Sequence, residues 1–333
     1  MNYMSNEQNP GGFVISLDFE LHWGVRDHCT VDQYRQNLLG ARQAIPAILD
    51  LFALYGLHAT WATVGFLFCE SIDDLKAAIP DDLPRYRECA LDPYAALSEV
   101  GRNEEEDPFH FAPSLIRRIL SYPGQEIGTH TLSHFYVLVP GPTLESFRAD
   151  LRSAKSLASR YGVTLRSIVF PRNQISRPHL RICADEGIIS YRGTEADRWN
   201  QRNSITGRAL RFADSYFALS GASYAAPRLD SEYPVSVSGS RFLRPFNPML
   251  QPFDGLRLRR ICSSMDAAAN SGTLFHLWWH PHNFGIYLDQ NIAFLTRIAD
   301  HFAHLNRTTG WPSLCMAEIA ENLIHAERPP CLA

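Results

Sequence analysis

The chain shows no export-type leader, since residues 1–12 are polar and carry no apolar core segment. No uninterrupted apolar run approaches 18 residues, so no transmembrane segment is expected. No C-x-x-C pair occurs, and the seven cysteines (29, 69, 89, 183, 262, 315 and 331) are scattered and odd in number. That argues against a disulfide framework and for a reduced, cytoplasmic protein whose thiols fill core space. Charge of one sign is not in excess: 31 Lys and Arg face 35 Asp and Glu, a net of −4. No global field therefore favours nucleic acid, and no nucleic-acid partner is expected. Repeats of 20–50 residues are absent, as is a linker able to divide the chain. What is present is an ordinary globular composition, 45% hydrophobic and 20% charged over 333 residues, with 13 histidines.

Residues 13–17 form an apolar, β-branched run that predicts a first buried strand. A helical pattern covers 31–55, interrupted or kinked at Pro46 and closed by Gly56. Further strands are predicted at 59–64, 126–129, 167–170, 188–191 and 273–279, and helices at 143–161, 177–186 and 291–305. Two stretches break this rhythm. Residues 71–107, with Pro80, Pro84, Pro93 and the acidic run 104–107, read as a mostly helical or irregular surface insertion. Residues 192–256 are rich in Ser, Gly, Pro and Arg and show no period. Their arginines (Arg192, Arg198, Arg202, Arg208, Arg211, Arg228, Arg241, Arg244) read equally as phosphate or sugar contacts and as solvated loop residues. Alternating strands and helices predict a parallel sheet or barrel with helices outside.

In such folds ligands bind at the carboxyl ends of the strands. Four predicted strands run into polar clusters there: Asp18-Phe19-Glu20-Leu21-His22-Trp23, His130-Thr131-Leu132-Ser133-His134, Pro171-Arg172-Asn173-Gln174 and His280-Pro281-His282-Asn283. Singly, each has an ordinary reading as a helix cap, a chance His pair or core Trp. Their common end is the informative feature. Two His at i and i+4 project from one side of a helical turn and can reach one ion. Asp18 or Glu20 can add a carboxylate from another strand end, giving a two-His, one-carboxylate face with open positions. If the first strand extends this far, residues 18 and 20 share a face, so one acid can bind metal while the other acts as a base. A zincin H-E-x-x-H site is excluded, because Thr131 follows His130.

In this order the motifs resemble the polysaccharide deacetylase family, the NodB-homology or carbohydrate esterase family 4 enzymes, over residues 13–305. His130–His134 matches the family's His-(Ser/Thr)-x-x-His in full. Asp18-Phe19-Glu20 is one residue wider than the family's Asp-Asp and resembles an Asp-x-Glu branch. The resemblance makes Asp18 the general base and Glu20, His130 and His134 the metal ligands. Ala59-Thr60-Trp61-Ala62-Thr63-Val64-Gly65 is similar to the family's Ala-Thr-Phe-Phe-Val-x-Gly strand. The third motif departs from the pattern: Pro171 is kept without the preceding Arg, and Arg172 stands where an aromatic is usual. Arg172 is therefore assigned to orienting Asp18 or to contacting substrate. Asp197-Arg198-Trp199 stands in for the motif that lines the acyl pocket. After the last apolar strand, His280 takes the general acid's place, with His276 and His282 as alternatives. Trp23, Pro171, Asn173, Trp199, Trp279 and His282 are the expected substrate contacts.

The resemblance implies an α/β fold, a distorted (β/α) barrel of about seven parallel strands with outer helices. It would form one domain over 13–326, with insertions at 71–107 and 192–256, a flexible 1–12 and a tail at 327–333. The implied reaction is metal-dependent hydrolysis of the N-acetyl group of an amino sugar or glycan precursor, releasing acetate and a free amine. One divalent metal is the implied cofactor. Zinc comes first, and cobalt, nickel or iron suit the same ligands. Asp18 would take the proton of the attacking water, and His280 would protonate the departing amine. With no leader in view, the expected substrate is an acetylated precursor in the cytoplasm, free, nucleotide-linked or lipid-linked, and homo-oligomers stay open. Two other readings remain: a deformylase or other amidohydrolase, metal-independent ones included, and a non-catalytic carbohydrate-binding relative.

Overall fold

The computed structural model describes residues 11–95, 97–194, 224, 226–230 and 232–326. Expectations for the two chain ends, at 1–10 and 327–333, and for Asp197 and Trp199 lie outside the described residues. Strand β1 (Gly12–Phe19) is buried along its whole length. Both its flanks carry parallel partners, β2 (Ala59–Thr63) and β9 (Leu274–Trp279). From β2 the sheet continues in parallel through β3 (Gln125–Thr129), β4 (Ser167–Ile168), β5 (Ser190–Tyr191) and β7 (Tyr233–Ser236). Strand β6 (Arg228–Asp230) ends that side antiparallel to β7, and β8 (Arg241–Phe242) ends the other beside β9. The order is β6-β7-β5-β4-β3-β2-β1-β9-β8, a mixed sheet bent into a half-barrel. The expected distorted barrel is present, with an added antiparallel edge.

Helix α1 (Val31–Tyr55) starts at a capping box, in which Thr30 and Gln33 satisfy each other's backbone N–H groups. It runs unbroken through Pro46, so the interruption expected there is not found. By length and composition alone α1 could cross a membrane. Its apolar stripe of Leu38, Ala41, Ile45, Ile48 and Phe52 is instead a core face, fully buried in the large cluster under the sheet. Gly40 of α1 meets the backbone of Gly285 so closely that a Cβ at Gly40 would lie 2.1 Å from the Gly285 carbonyl oxygen. This contact fixes the turn that follows β9. Among the described residues, the other α-helices are α2 (Ile72–Ala77), α3 (Pro113–Leu120), α4 (Leu144–Ser159), α5 (Arg177–Asp185), α6 (Asp254–Ser271), α7 (Leu288–Thr309) and α8 (Met316–Ala326).

Alternation along the strands divides the molecule. Phe13, Ile15, Leu17 and Phe19 of β1, with Phe275, Leu277 and Trp279 of β9, point to the helix layer and its core. Val14 and Leu274 point the other way and join Ala62, Val169, Val235 and Val237 in a second apolar cluster. Helix α8 covers this inner face with Met316, Ile319 and Ala320. The N-terminus of α8 is satisfied by the sheet: Thr60 accepts the Met316 N–H, and the Glu126 carboxylate accepts that of Ala317. The inner face is thus an apolar floor where α8 covers it. Further along, the same parity brings Ser16, Asp18, His276 and Trp278 to its upper part.

Among the described residues, the 71–107 stretch holds the short helix α2 and two 3-10 turns, Cys89–Leu91 and Leu97–Glu99, joined by irregular segments. Its last acid, Asp107, is buried.

Truncating Ile319 leaves a hole in the floor. Ile319→Ala is expected to cost about 2–5 kcal/mol in urea unfolding. Leu54→Ala, at a side chain 77% exposed, is expected to stay within about 0.5 kcal/mol.

Candidate active site

Where β1 ends, Glu20 leads into a tight turn, Leu21–Gly24, entered through a left-handed Leu21 at φ 46°. The Glu20 carboxyl lies directly on Gly24, where a Cβ would sit 1.9 Å from Glu20 Cδ. Where β3 ends, His130–His134 forms an irregular loop with Thr131 at φ 66° and His134 at φ 59°. The helical turn expected for this pair is absent, and the two rings converge through backbone reversal instead. The loop is stapled by α4: Asp150 accepts the Leu132 N–H at 2.7 Å and the Ser133 hydroxyl at 2.6 Å. Burial pushes the Asp150 carboxyl up to about 7, against these donors.

Glu20 Oε2 lies 3.2 Å from His130 Nε2 and 3.1 Å from His134 Nε2. These three ligand atoms lie within 4.8 Å of one another, and all three residues are buried. His130 Nδ1–H donates to the Val169 carbonyl at 2.7 Å. A carbonyl only accepts, so a neutral His130 turns its Nε2 lone pair toward the carboxylate oxygen. His134 Nδ1 shares a 3.1 Å hydrogen bond with the Tyr136 hydroxyl. Burial pushes His134 down to about 4, only partly opposed by Glu20, which favours the neutral ring. Burial pulls Glu20 up, but His280, His130 and His134 around it hold it well below the usual carboxylate range. With both rings neutral, an ionised oxygen and two imidazole lone pairs would face one point, the donor set of a cation site. Two ligands about 2.0–2.1 Å from a tetrahedral ion stand about 3.3–3.4 Å apart, close to the separations found here.

Asp18 projects beside this group. Arg192 grips it with two parallel bonds, Nη1 to Oδ1 at 2.6 Å and Nη2 to Oδ2 at 2.7 Å. The pair is buried, with Arg192 2% and Asp18 3% exposed. Burial raises the Asp18 carboxyl, but the Arg192 guanidinium, with His130 and His280, more than reverses this and keeps it ionised. Arg192 also donates to Asn173 Oδ1 and Ser16 Oγ, and Ser16 Oγ bonds His276 Nε2 at 2.8 Å. Its guanidinium lies 4.2 Å from the Trp278 ring centroid. His280 Nε2 stands 3.6 Å from both Asp18 Oδ2 and Glu20 Oε1, with its side chain 24% exposed.

The other expected residues are distributed differently. Arg172 does not reach Asp18: it pairs with Asp27 and stacks 4.4 Å from the Tyr136 ring centroid. It follows Pro171 at φ 56°, a left-handed backbone that turns its side chain to the rim. The guanidinium paired with Asp18 is that of Arg192, not of Arg172. Trp23 is core, packed on Phe66 and bonded through Nε1 to the His110 carbonyl. Trp279 is also core, stacked on Phe284, and Trp278 is the tryptophan on the inner face. Pro171 is buried, and the Asn173 side-chain oxygen Oδ1 accepts from Arg192. His282 stacks on His280 with ring centroids 5.1 Å apart. Burial pushes it down to about 3. His276 is wholly buried beneath the site. Arg192 carried a usable signal, since it follows a predicted strand directly.

No family model matches the sequence, and no curated protein does. Solved structures do match. One is assigned as a polysaccharide deacetylase from Mycobacterium smegmatis, with TM-score 0.62, 13% identity, and coverage of 98% of this chain and 95% of that one. Another so assigned, from Pseudomonas aeruginosa PAO1, has TM-score 0.55, 12% identity and coverage of 96% and 91%. A Puue allantoinase has TM-score 0.55, 12% identity and coverage of 98% and 93%. The chain has the polysaccharide deacetylase fold. At these identities the likeness is one of architecture.

Gly24→Ala is expected to displace the Glu20 carboxyl from His130 and His134, read as shifted imidazole resonances in NMR, with the fold retained by circular dichroism. Arg192→Met strands a buried carboxylate and is expected to cost about 3–5 kcal/mol in urea unfolding. Arg172→Met, at the exposed rim, is expected to cost less than about 1 kcal/mol.

Proposed function

We propose that this chain is a metal-dependent amidohydrolase that removes the N-acetyl group from an amino sugar or glycan precursor. The observation that carries the reading is the convergence of Glu20 Oε2 with His130 Nε2, whose own N–H is committed to the Val169 carbonyl. With His130 neutral, as a metal ligand must be, two acceptors would face each other there, and a cation between them would satisfy both. Glu20, His130 and His134 would hold one divalent ion, zinc first by ligand type. When bound, such an ion polarises an amide carbonyl and lowers the pKa of water.

The chain's own groups supply the remaining chemistry. Asp18 is the base, kept in its accepting form by Arg192 and beside the ligand group. It takes the proton of the attacking water. His280 is the partly exposed imidazole that reaches both carboxylates, so it faces a bound substrate and protonates the departing amine. Acetate and a free amine result. The neighbours assigned as polysaccharide deacetylases support an acetylated carbohydrate as the substrate class.

A panel of N-acetylated sugars, sugar nucleotides and chitin oligomers, assayed for acetate with added zinc or cobalt, tests the reading. The expected result is acetate release from at least one class, reduced at least about a hundredfold in His130→Ala. Formate release or opening of a cyclic amide without acetate would replace it with another amidohydrolase. No turnover on any acyl panel despite tight metal binding would overturn it.

A further inference from the structure

Beneath the Glu20 turn runs a buried chain of hydrogen bonds that the proposed chemistry does not use. Asp107, at the end of the 71–107 stretch, accepts from His110 Nδ1 at 2.7 Å. The Cys29 carbonyl accepts from His22 Nε2 at 3.0 Å, and His22 Nδ1 lies 2.9 Å from His110 Nε2, a contact that closes as a hydrogen bond when the two rings hold one proton more than their neutral forms. The three residues are only 6–9% exposed. Asp107 is itself held by the backbone N–H groups of Gly101 and Phe109. The residues just after the stretch grip the turn twice more: the His22 N–H donates to the Phe109 carbonyl, and Trp23 Nε1 donates to that of His110. Residues 21–24 are therefore clamped from outside by residues 107–110. They carry Gly24, on which the Glu20 carboxyl rests.

We infer that Asp107, His110 and His22 form a positioning chain that holds the 21–24 turn so that the Glu20 carboxylate stays in register with His130 and His134. The inference rests on the metal reading proposed above. Packing alone does not call for these groups, since apolar side chains of similar shape would fill the space without the cost of burying polar atoms. What a continuous polar chain adds is direction: each bond fixes the orientation of the next ring. A left-handed Leu21 at the head of the turn makes external restraint necessary, because that backbone does not hold itself. Glutamate is also a long side chain whose carboxylate depends on its support to stay in place. The three act on Glu20 through the backbone of the turn, and supports lying outside a metal's ligands change its affinity by about 10- to 100-fold.

The test is cobalt binding to metal-free protein, read by chelator competition and by the visible d–d spectrum. His110→Phe keeps the ring shape and removes both hydrogen bonds. It is expected to weaken cobalt about 10- to 100-fold and to alter the spectrum. His110→Gln is expected to recover part of the affinity, and Asp107→Asn to fall between wild type and His110→Phe. His179→Phe removes another buried histidine, in α5 away from the ligands, and serves as the matched control for lost stability. It is expected to leave cobalt affinity unchanged. Equal cobalt affinity and spectrum in wild type, His110→Phe and Asp107→Asn would overturn the positioning role while leaving the metal site standing. The same holds if His179→Phe weakens cobalt as much as His110→Phe. A wild-type protein that binds neither cobalt nor zinc would overturn the metal reading and this inference with it.

Discussion

A carboxylate taken out of water must meet an opposite charge or give up its own. Asp18 meets that demand through Arg192, and much of the site is arranged around the solution. The guanidinium has more donors than Asp18 can use. Ser16 and Asn173 take the surplus, and His276 bonds Ser16 in turn. Asn173 reaches Arg192 from a turn whose residues 172 and 173 both have left-handed backbone. That same reversal throws Arg172 outward to Asp27. One buried ion pair thus joins the ends of β1 and β5 and sets what the turn after β4 does with its side chains.

Much of this was legible in the sequence, because strand ends in a parallel sheet are recognisable and polar residues gather there for few other reasons. Asp18, Glu20, His130, His134 and His280 all follow predicted strands, and the structure brings all five together. The errors have physical sources. The motif pattern offered Arg172 as the only arginine near the third position, while β5 is two residues long and Arg192 was absorbed into the adjoining irregular stretch. Trp279 fails by the alternation that correctly put His276 on the face of His280: a residue one place from His280 must point to the helices. Trp23 belongs to a turn, where no period applies. Helices α3, α6 and α8 were not read. In α6, charged Arg257 and Arg260 are buried beside Leu258 and Ile261, which blurs the apolar stripe.

The inner face of the half-barrel shows how one strand serves two purposes. Val14 belongs to the floor under α8, Ser16 to the polar chain around Arg192, and Asp18 to the site itself. These residues lie two apart on one side of β1. Stability and chemistry are therefore separated by depth along the strand rather than by domain. Residues 107–110, just after the inserted stretch, add a third contribution, since they brace a turn that the sheet alone leaves unsupported.

The central place of β1 has a consequence for how the chain is made. Its partner β2 follows within the first 63 residues, whereas β9 begins only at Leu274. During synthesis one flank of β1 waits for some two hundred residues, with backbone donors and acceptors unpaired along an apolar strand. The bond between Ser16 and His276 spans 260 residues, so the polar interior closes only after residue 276 has been made. Contacts this distant in sequence slow folding and lengthen the period in which an open strand edge can pair with a neighbouring chain. A shortened chain ending before β9 would keep that edge open for good.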